Sequence, residues 1–339
     1  MLKMCITKKK TLSRHRTQDS GLKIQDSGSR AQDSRLRRER GRGKREEGRG
    51  IPLSLLSPPF SLLSFLCLAF CAFPIAGSIC CGKKPSISLS DMVRIPAGSF
   101  LMGSSDEEIK KVVRDLGGGE LGPDVQWFAA EKPQHEVYLK EFYIDKYEVT
   151  NAQYKEFVQA TGRPTPRHWE GGSYPDGKAD HPVVYVSWED ANAYCRWFGK
   201  RLPTEAEWEK AARGTDARIW PWGNTFDIAK CNVESWEGSG STPVGSYPDG
   251  VSPYGVYDMA GNVWEWTDSW YDAYPGSTYT TTEFGEKLRV LRGGSWYHYD
   301  SLGPIGARCA SRDRGTPQHV SYVAGFRCAI SGDEVETAR

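Results

Sequence analysis

The stretch Gly199-Lys-Arg-Leu-Pro-Thr-Glu-Ala-Glu-Trp-Glu209 carries the clearest local signal in this chain. Thr204 and Glu207 form a capping box, in which each side chain satisfies a backbone N–H at the start of a helix. Apolar residues follow from Trp208 at helical spacing, and Gly214 is a typical helix stop. The stretch therefore predicts a short amphipathic helix that begins after Thr204.

Two similar helices are predicted nearer the N-terminus. Thr150 and Gln153 form a second capping box, and apolar residues continue at helical spacing up to Gly162. Ser187 begins another amphipathic helix, which we expect to end at Gly199. Strand-like patterns occur in five segments, namely 92–95, 135–144, 183–186, 288–291 and 324–329. The stretch 215–287 is rich in Gly, Pro, Ser, Asp and Trp and predicts loops.

Charge divides this chain of 339 residues, whose mean hydropathy is -0.57. Residues 1–50 contain 16 Lys or Arg and 6 Asp or Glu, whereas the remainder contains 28 basic and 37 acidic residues. All 12 Trp lie after residue 100. This composition excludes a polytopic membrane protein, a coiled coil and a wholly disordered chain. The basic segment has no interleaved aromatic residues, so we expect a disordered leader and no nucleic-acid partner.

An apolar, uncharged segment at 51–78 follows this basic leader and ends in small residues. This order is typical of a signal peptide, and a membrane anchor is the alternative. Lipidation at Cys80 or Cys81 would be another means of attachment to a membrane. We expect an exported protein, periplasmic or extracellular, with a linker at 79–90, a globular domain at 91–331 and a tail at 332–339.

Four cysteines fall in the globular part, namely Cys195, Cys231, Cys309 and Cys328. An oxidising compartment would allow up to two disulfides, and four cysteines permit three pairings. The spacing of these residues with histidine does not resemble a zinc site.

Two clusters combine groups that bind ligands. In the first, Asp258 and Glu265 lie on either side of Gly261, so their oxygens and nearby carbonyls could converge on Ca²⁺. An ordinary turn with solvated acids is the alternative. The second cluster is Arg292-Gly-Gly-Ser-Trp-Tyr-His298, where the glycines permit close approach of a backbone. A bulge in a buried strand explains that pattern equally well.

The order of several motifs resembles the sulfatase-modifying-factor domain, the family of formylglycine-generating enzymes. The resemblance covers about 91–331 and implies an α+β fold, C-type-lectin-like and rich in loops. The motifs that carry it are Val93–Gly103, Glu148–Tyr154, Pro182–Trp188, Ala193–Trp197, Gly199–Glu209, Trp220–Gly223, Gly255–Trp266, Arg292–Trp296 and Gly325–Cys328.

The family's copper site is altered in this sequence. The resemblance implies oxidation of a sulfatase cysteine to formylglycine by O₂, with Cu(I) held by two cysteines. Those cysteines lie three and eight residues beyond the Ser of the Gly-Gly-Ser motif, at positions that His298 and Gly303 occupy here. Because Cu(I) prefers soft thiolate ligands, we expect no copper at this site.

The resemblance also implies calcium and disulfide residues. One family calcium site maps to Asp258, Gly261, Val263 and Glu265, and the first half of a second site maps to Asn232 and Val233. A family disulfide maps to Cys195 and Cys328. A second family bridge would join Cys309 to the position of Ala212, which leaves Cys231 as the remaining candidate for a bond to Cys309.

These observations favour a binding or accessory module that lacks copper and thiol oxidase chemistry. We expect its pocket to take a peptide, protein or carbohydrate ligand, and we expect a monomer. The candidate pocket residues are Trp264, Ser295, Trp296, Tyr297 and His298. The alternatives are a metal-dependent oxidase of altered chemistry and a formylglycine generator that uses a relocated thiol.

Overall fold

The computed structural model describes residues 88–116, 126–233, 240–297 and 303–338. The predicted leader at 1–50 and the predicted export segment at 51–78 lie outside these residues. Within the described ranges, no helix combines the length and the apolar character that crossing a membrane requires.

Short helices and strands alternate along the described part. In chain order they are β1 (Met92–Ile95), β2 (Gly98–Met102), α1 (Asp106–Asp115), α2 (Gln126–Ala129), β3 (His135–Leu139), β4 (Phe142–Asp145), α3 (Asn151–Thr161), α4 (Trp188–Trp197), α5 (Glu205–Arg213), β5 (Trp264–Trp270), β6 (Arg289–Arg292), α6 (Gly303–Gly306), β7 (Asp313–Gly315), β8 (Ala324–Gly325), β9 (Ala329–Ser331) and α7 (Gly332–Ala338). Two single 3-10 turns lie at Ile228–Lys230 and Pro248–Gly250.

The strands form three small sheets. One has the order β1-β4-β9 with antiparallel pairing, and a second pairs β2 with β3. The third has the order β7-β6-β5-β8, in which β5 and β8 are parallel and the other pairs are antiparallel. These sheets and the seven helices of the described ranges make an α+β fold with long connecting loops, as the sequence predicts.

The three helices predicted from capping residues are confirmed. The side chains of Thr150, Ser187 and Thr204 cap α3, α4 and α5, and each cap forms a complete capping box. Gly162 ends α3 in the left-handed conformation, and Gly214 follows α5. Local hydrogen bonds at the ends of a helix are readable from sequence because they join residues only three positions apart.

The strand predictions are less accurate. The segment 183–186 forms no strand, because Tyr185 has φ of 59° and its N–H donates to Ser321 O at 2.8 Å. The segment 135–144 divides into β3 and β4, which belong to different sheets. Strand β5 lies inside the stretch 215–287, for which the sequence predicts loops. The C-terminal tail predicted at 332–339 begins with helix α7.

The largest core cluster packs α3 and α4 against β5 and the segment before β9. It contains the rings of Tyr154, Tyr194 and Trp266. The disulfide between Cys195 and Cys328 crosses this cluster and confirms the pairing that the family resemblance implies. The bond therefore joins α4 to the C-terminal strand region through the core.

The predicted bond between Cys231 and Cys309 is wrong. Cys231 packs with Val233, Ala260 and Ala307, whereas Cys309 belongs to a different cluster that includes Ala212. Both residues keep buried thiols. Cys309 thus lies beside the position that holds its partner in the family, and alanine there provides no sulfur for a bond.

Buried ion pairs connect α5 to the end of β6 and to the segment before β7. Arg292 contacts both Glu205 and Glu209, and all three side chains are almost fully buried. Arg312 donates to both oxygens of Glu205 at 2.7 and 3.0 Å. Removing one partner from such a group would leave an uncompensated buried charge, which strongly destabilises a fold. These pairs join segments that are far apart in sequence.

Candidate functional site

The Gly-Gly-Ser turn after β6 brings two loops into close contact. Gly293 and Gly294 have φ of 98° and 77°. An added Cβ at Gly294 would lie 3.0 Å from the Ala307 backbone, and one at Gly293 would lie 3.0 Å from the Trp208 ring. Ser295 is completely buried, and its hydroxyl donates to Tyr297 O at 3.0 Å. The glycines therefore serve packing within the protein, and Ser295 shapes the turn.

Four partly exposed rings form a continuous patch, which we call the aromatic surface: Tyr185, Trp296, Tyr297 and Tyr322. Tyr322 joins the others, with ring centroids 5.9 Å from Trp296, 5.6 Å from Tyr297 and 6.4 Å from Tyr185. Trp296 and Tyr297 are 5.4 Å apart. Tyr322 is 38% exposed, so the patch presents apolar ring area to solvent. Such rings bind apolar faces of sugars and peptides through their large contact area.

Of the five pocket residues predicted from the sequence, Trp296 and Tyr297 belong to the aromatic surface. Trp264 instead packs against the largest core cluster, and Ser295 is buried in the turn. His298 lies outside the described residues.

Sequence reasoning missed Tyr185 and Tyr322. Tyr185 holds a left-handed φ of 59°, which is a strained conformation for a bulky residue and is frequent at functional sites. The local pattern at 183–186, which contains Tyr185, predicts a strand instead of this left-handed conformation.

The aromatic surface consists of partly exposed rings and is separate from two cavities of the described part of the molecule. Two cavities of about 600 Å³ and 500 Å³ lie elsewhere, one beside the N-terminus of α1 and the other beside Glu148 and Lys200. Residues of the aromatic surface line neither of them. A surface of partly exposed rings suits an extended ligand better than a small molecule, because enclosed pockets are the usual sites for small molecules.

The copper positions of the family do not fit a thiolate pair here. Gly303 begins α6, and a Cβ added there would lie 2.5 Å from Val233 O and 3.2 Å from Val233 Cβ. A cysteine at this position would therefore force the backbone to move. Among the described residues, the two thiols outside the disulfide belong to separate core clusters. Burial raises the pKa of Cys309 to about 12, so this thiol stays protonated at neutral pH.

The predicted calcium segment is held from several directions. Asp258 and Asn262 have left-handed φ of 59° and 61°, and Asp258 Oδ2 accepts from Gly245 N at 2.7 Å. Both Glu265 oxygens accept from Arg327 at 2.7 Å, and one also accepts from Trp208 Nε1. Three of the roughly four lone-pair positions of the Glu265 carboxylate therefore accept hydrogen bonds from the protein itself.

Asn232 and Val233, to which the first half of the second family calcium site maps, contact the same loop. Asn232 O accepts from Asn262 N at 2.9 Å, and the Asn232 side chain donates to Gly240 O at 3.2 Å. Val233 is buried, and its carbonyl faces Gly303. Asn232 and Val233 therefore stabilise the packing of this loop.

Glu148 is a buried acid beside this segment that sequence reasoning did not single out. It accepts from Asn262 Nδ2 at 2.6 Å and from Val263 N at 3.2 Å. Burial and the nearby carboxylates of Asp258 and Glu265 raise the pKa of Glu148 well above its usual range. Burial also raises the pKa of Asp258 to about 6.

Three buried carboxylates therefore surround one cation, Arg327, which donates to Glu265. Buried acids are hard oxygen donors that suit Ca²⁺, and the charge of a bound cation would favour their ionised forms. However, within the described ranges no three His, Cys, Asp or Glu side chains are grouped closely enough to hold one metal ion. A calcium ion here would thus depend on backbone carbonyls, such as those of Gly261 and Val263, beside Asp258.

Comparisons with known proteins agree with this architecture. A family model described as sulfatase-modifying factor enzyme 1-like domain matches residues 80–331. Formylglycine-generating enzyme of Mus musculus is 33% identical over 315 residues, covering 76% of this chain and 78% of that protein. Inactive C-alpha-formylglycine-generating enzyme 2 of Mus musculus is 35% identical over 294 residues, covering 71% and 85%. The structure of PvdO from Pseudomonas aeruginosa has 32% identity and a TM-score of 0.54, covering 71% of this chain and 94% of that one.

The fold and the turn motifs thus define a protein of the formylglycine-generating-enzyme type. The chain belongs to the sulfatase-modifying-factor family. Its similar relatives include one named as a formylglycine-generating enzyme and one named as inactive, so membership in the family leaves the chemistry of this chain open. Whether this chain can catalyse the oxidation therefore depends on the residues at the copper positions, 298 and 303.

Proposed function

We propose that this chain is an exported binding or accessory module of the sulfatase-modifying-factor family, without copper and thiol oxidase chemistry. The observation that carries this proposal is the crowded position of Gly303, where the family has its second copper cysteine and where a Cβ would meet Val233 O at 2.5 Å. Cys309 does not supply a thiolate pair, because the other thiol of the described residues, Cys231, belongs to a separate core cluster.

The aromatic surface is the proposed binding site. It offers partly exposed apolar ring area, and three of its rings lie within 6 Å of one another. Aromatic side chains that remain partly exposed in a cluster often mark interaction sites, because leaving apolar area in water is unfavourable. Export is supported by the buried Cys195–Cys328 disulfide, which is typical of oxidising compartments.

The test of the missing oxidase chemistry is direct. The purified protein is incubated with Cu(I), O₂ and a Cys-x-Pro-x-Arg peptide, and the peptide is analysed by mass spectrometry for formylglycine. Mouse formylglycine-generating enzyme in the same buffer serves as the positive control. We expect an unmodified peptide, and formation of the aldehyde by this chain would refute the proposal.

We also propose a structural calcium ion at Asp258, Gly261 and Val263. The buried excess of carboxylates around this segment supports it, since a bound cation would offset their repulsion. Elemental analysis of the purified protein should find calcium, and a chelator should lower its Tm. Asp258→Asn should remove the chelator effect. Equal Tm with and without chelator, together with no calcium in the sample, would contradict this assignment.

A further inference from the structure

An exposed arginine, Arg167, borders the aromatic surface and has no acidic partner in the part of the chain that the structure describes. The Arg167 side chain is exposed, and its guanidinium carbon lies 4.4 Å from the centroid of the Tyr185 ring. Among the described residues, no carboxylate lies within ion-pair distance of Arg167, whereas its neighbour Arg163 has Asp190 at 3.8 Å. A guanidinium stacked on a ring keeps its N–H donors available at its edge. Arg167 can therefore donate two parallel hydrogen bonds to an anion.

His168 does not share this role. Its ring centroid lies 4.9 Å from that of Tyr185, and its buried Nδ1 has no hydrogen-bond partner among the described residues. Burial, and secondarily the charge of Arg167, lower the pKa of His168. At neutral pH this ring is uncharged, so the positive charge beside the aromatic surface comes from Arg167.

Three backbone carbonyls of the segment that contains Tyr322 already accept hydrogen bonds within the protein. Ser321 O already accepts from Tyr185 N, and Val323 O accepts from Trp264 N at 2.8 Å. Phe326 O accepts from Val149 N at 2.9 Å. Recognition of an extended peptide usually needs such groups to be unpaired at a sheet edge. Ring stacking with one anionic contact, by contrast, needs only side chains.

We infer that the ligand of the aromatic surface is an acidic saccharide. Its sugar rings would stack on Trp296, Tyr297 and Tyr322, and its carboxylate or sulfate would accept hydrogen bonds from Arg167. This inference rests on the proposed binding function of the same surface and adds the chemical class of the ligand.

Binding is measured by calorimetry on the purified protein with three oligosaccharides of equal length. Chondroitin sulfate carries carboxylates and sulfates, hyaluronan carries carboxylates alone, and chitin oligomers are neutral. We expect both acidic ligands to bind at least about tenfold more tightly than the neutral one, which is the low end of the range for hydrogen bonds to a charged group. Added salt should weaken the acidic ligands more than the neutral one.

Matched variants locate the two contacts. Arg167→Gln should abolish the preference for acidic ligands, whereas Arg114→Gln, at another exposed arginine, should leave it unchanged. Tyr322→Ala should weaken all three ligands, whereas Tyr138→Ala removes a ring that is 67% exposed and should have no effect. Circular dichroism of each variant confirms that the fold is retained.

Three results would overturn the inference while leaving the proposed function standing. They are equal affinity for neutral and acidic oligosaccharides, unchanged preference in Arg167→Gln, and tighter binding of a polyglutamate peptide than of any oligosaccharide. Absence of binding to all three oligosaccharides would also reject a saccharide ligand. Formation of formylglycine in the separate peptide assay would instead reject the proposed function itself.

Discussion

At the scale of single residues, glycine decides which chemistry this scaffold can hold. Gly303 stands where the family has a copper ligand, and a Cβ added there would lie only 2.5 Å from Val233 O. The loss of copper thiolates is therefore more than a change of two side chains, because the surrounding backbone has closed on one of the positions.

A substitution at Gly303 tests whether the backbone around Val233 can accommodate a side chain at this position. Gly303→Ala places Cβ 2.5 Å from Val233 O, so we expect a loss of about 1–3 kcal/mol in the free energy of unfolding. Urea denaturation monitored by fluorescence gives this value. Gly332→Ala is the control, because its nearest contact would be 3.0 Å and its cost should be smaller. A stable Gly303→Ala variant would show that the backbone adapts and that a cysteine could fit.

Glu108 provides a pH-dependent contribution at the same scale. Burial raises its pKa to about 7, although Arg213 and Arg308 act in the opposite direction and Glu131 and Glu209 add to the increase. The folded state therefore binds this proton more tightly than the unfolded state does. Stability from this group is fully present below the unfolded pKa of about 4.3 and is lost as pH rises through about 7.

We expect the wild-type protein to gain stability relative to Glu108→Gln as pH is lowered from about 8 to about 5.5. The measurement is the difference in Tm between the two proteins at each pH. The glutamine stays neutral throughout, so it removes only this titration. Parallel pH profiles for the two proteins would mean that Glu108 titrates as it does in the unfolded chain.

At the scale of elements, capping boxes place the helices. The Thr204 side chain accepts from Glu207 N at 3.2 Å, and Glu207 Oε2 accepts from Thr204 N at 2.8 Å. Helix α5 also positions the Gly-Gly-Ser turn, because Glu205 and Glu209 on this helix form ion pairs with Arg292, which precedes the turn. A local signal thus positions a long-range contact.

Thr204→Ala should lower the free energy of unfolding by about 1 kcal/mol, since one backbone N–H at the start of α5 loses its acceptor. Thr204→Ser keeps the hydroxyl and should retain most of the stability. Chemical denaturation of the three proteins in parallel provides the comparison. Equal losses for alanine and serine would indicate that packing of the Thr methyl, rather than the cap, stabilises this end.

At the scale of the whole molecule, the disulfide and the buried ion pairs stabilise a domain whose helices and strands are short. The Cys195–Cys328 bond joins residues 133 positions apart and therefore restricts the unfolded chain strongly. Buried arginines also join distant parts of the sequence: Arg292 and Arg312 pair with Glu205, and Arg308 pairs with Glu131. A domain with such short strands needs these long-range restraints.

Cys328→Ala should lower the free energy of unfolding by about 2–5 kcal/mol. Reducing agent should destabilise the wild-type protein by a similar amount and should leave the variant unchanged, because Cys231 and Cys309 keep thiols already. Urea denaturation with and without reductant gives both values. Recovery of Cys195 as an alkylated thiol from unreduced native protein would contradict the bond itself.

The sequence by itself was sufficient for the family, for the starts of α3, α4 and α5, and for the replacement of the copper cysteines at 298 and 303. These features depend on neighbouring residues or on the order of motifs. The Cys195–Cys328 pairing also followed, through the resemblance to the family. Only the tertiary structure decided the rest. It brought Tyr185 and Tyr322 to Trp296, separated Cys231 from Cys309, and paired the buried arginines with their acids, because these contacts join distant segments and have no local pattern in the chain.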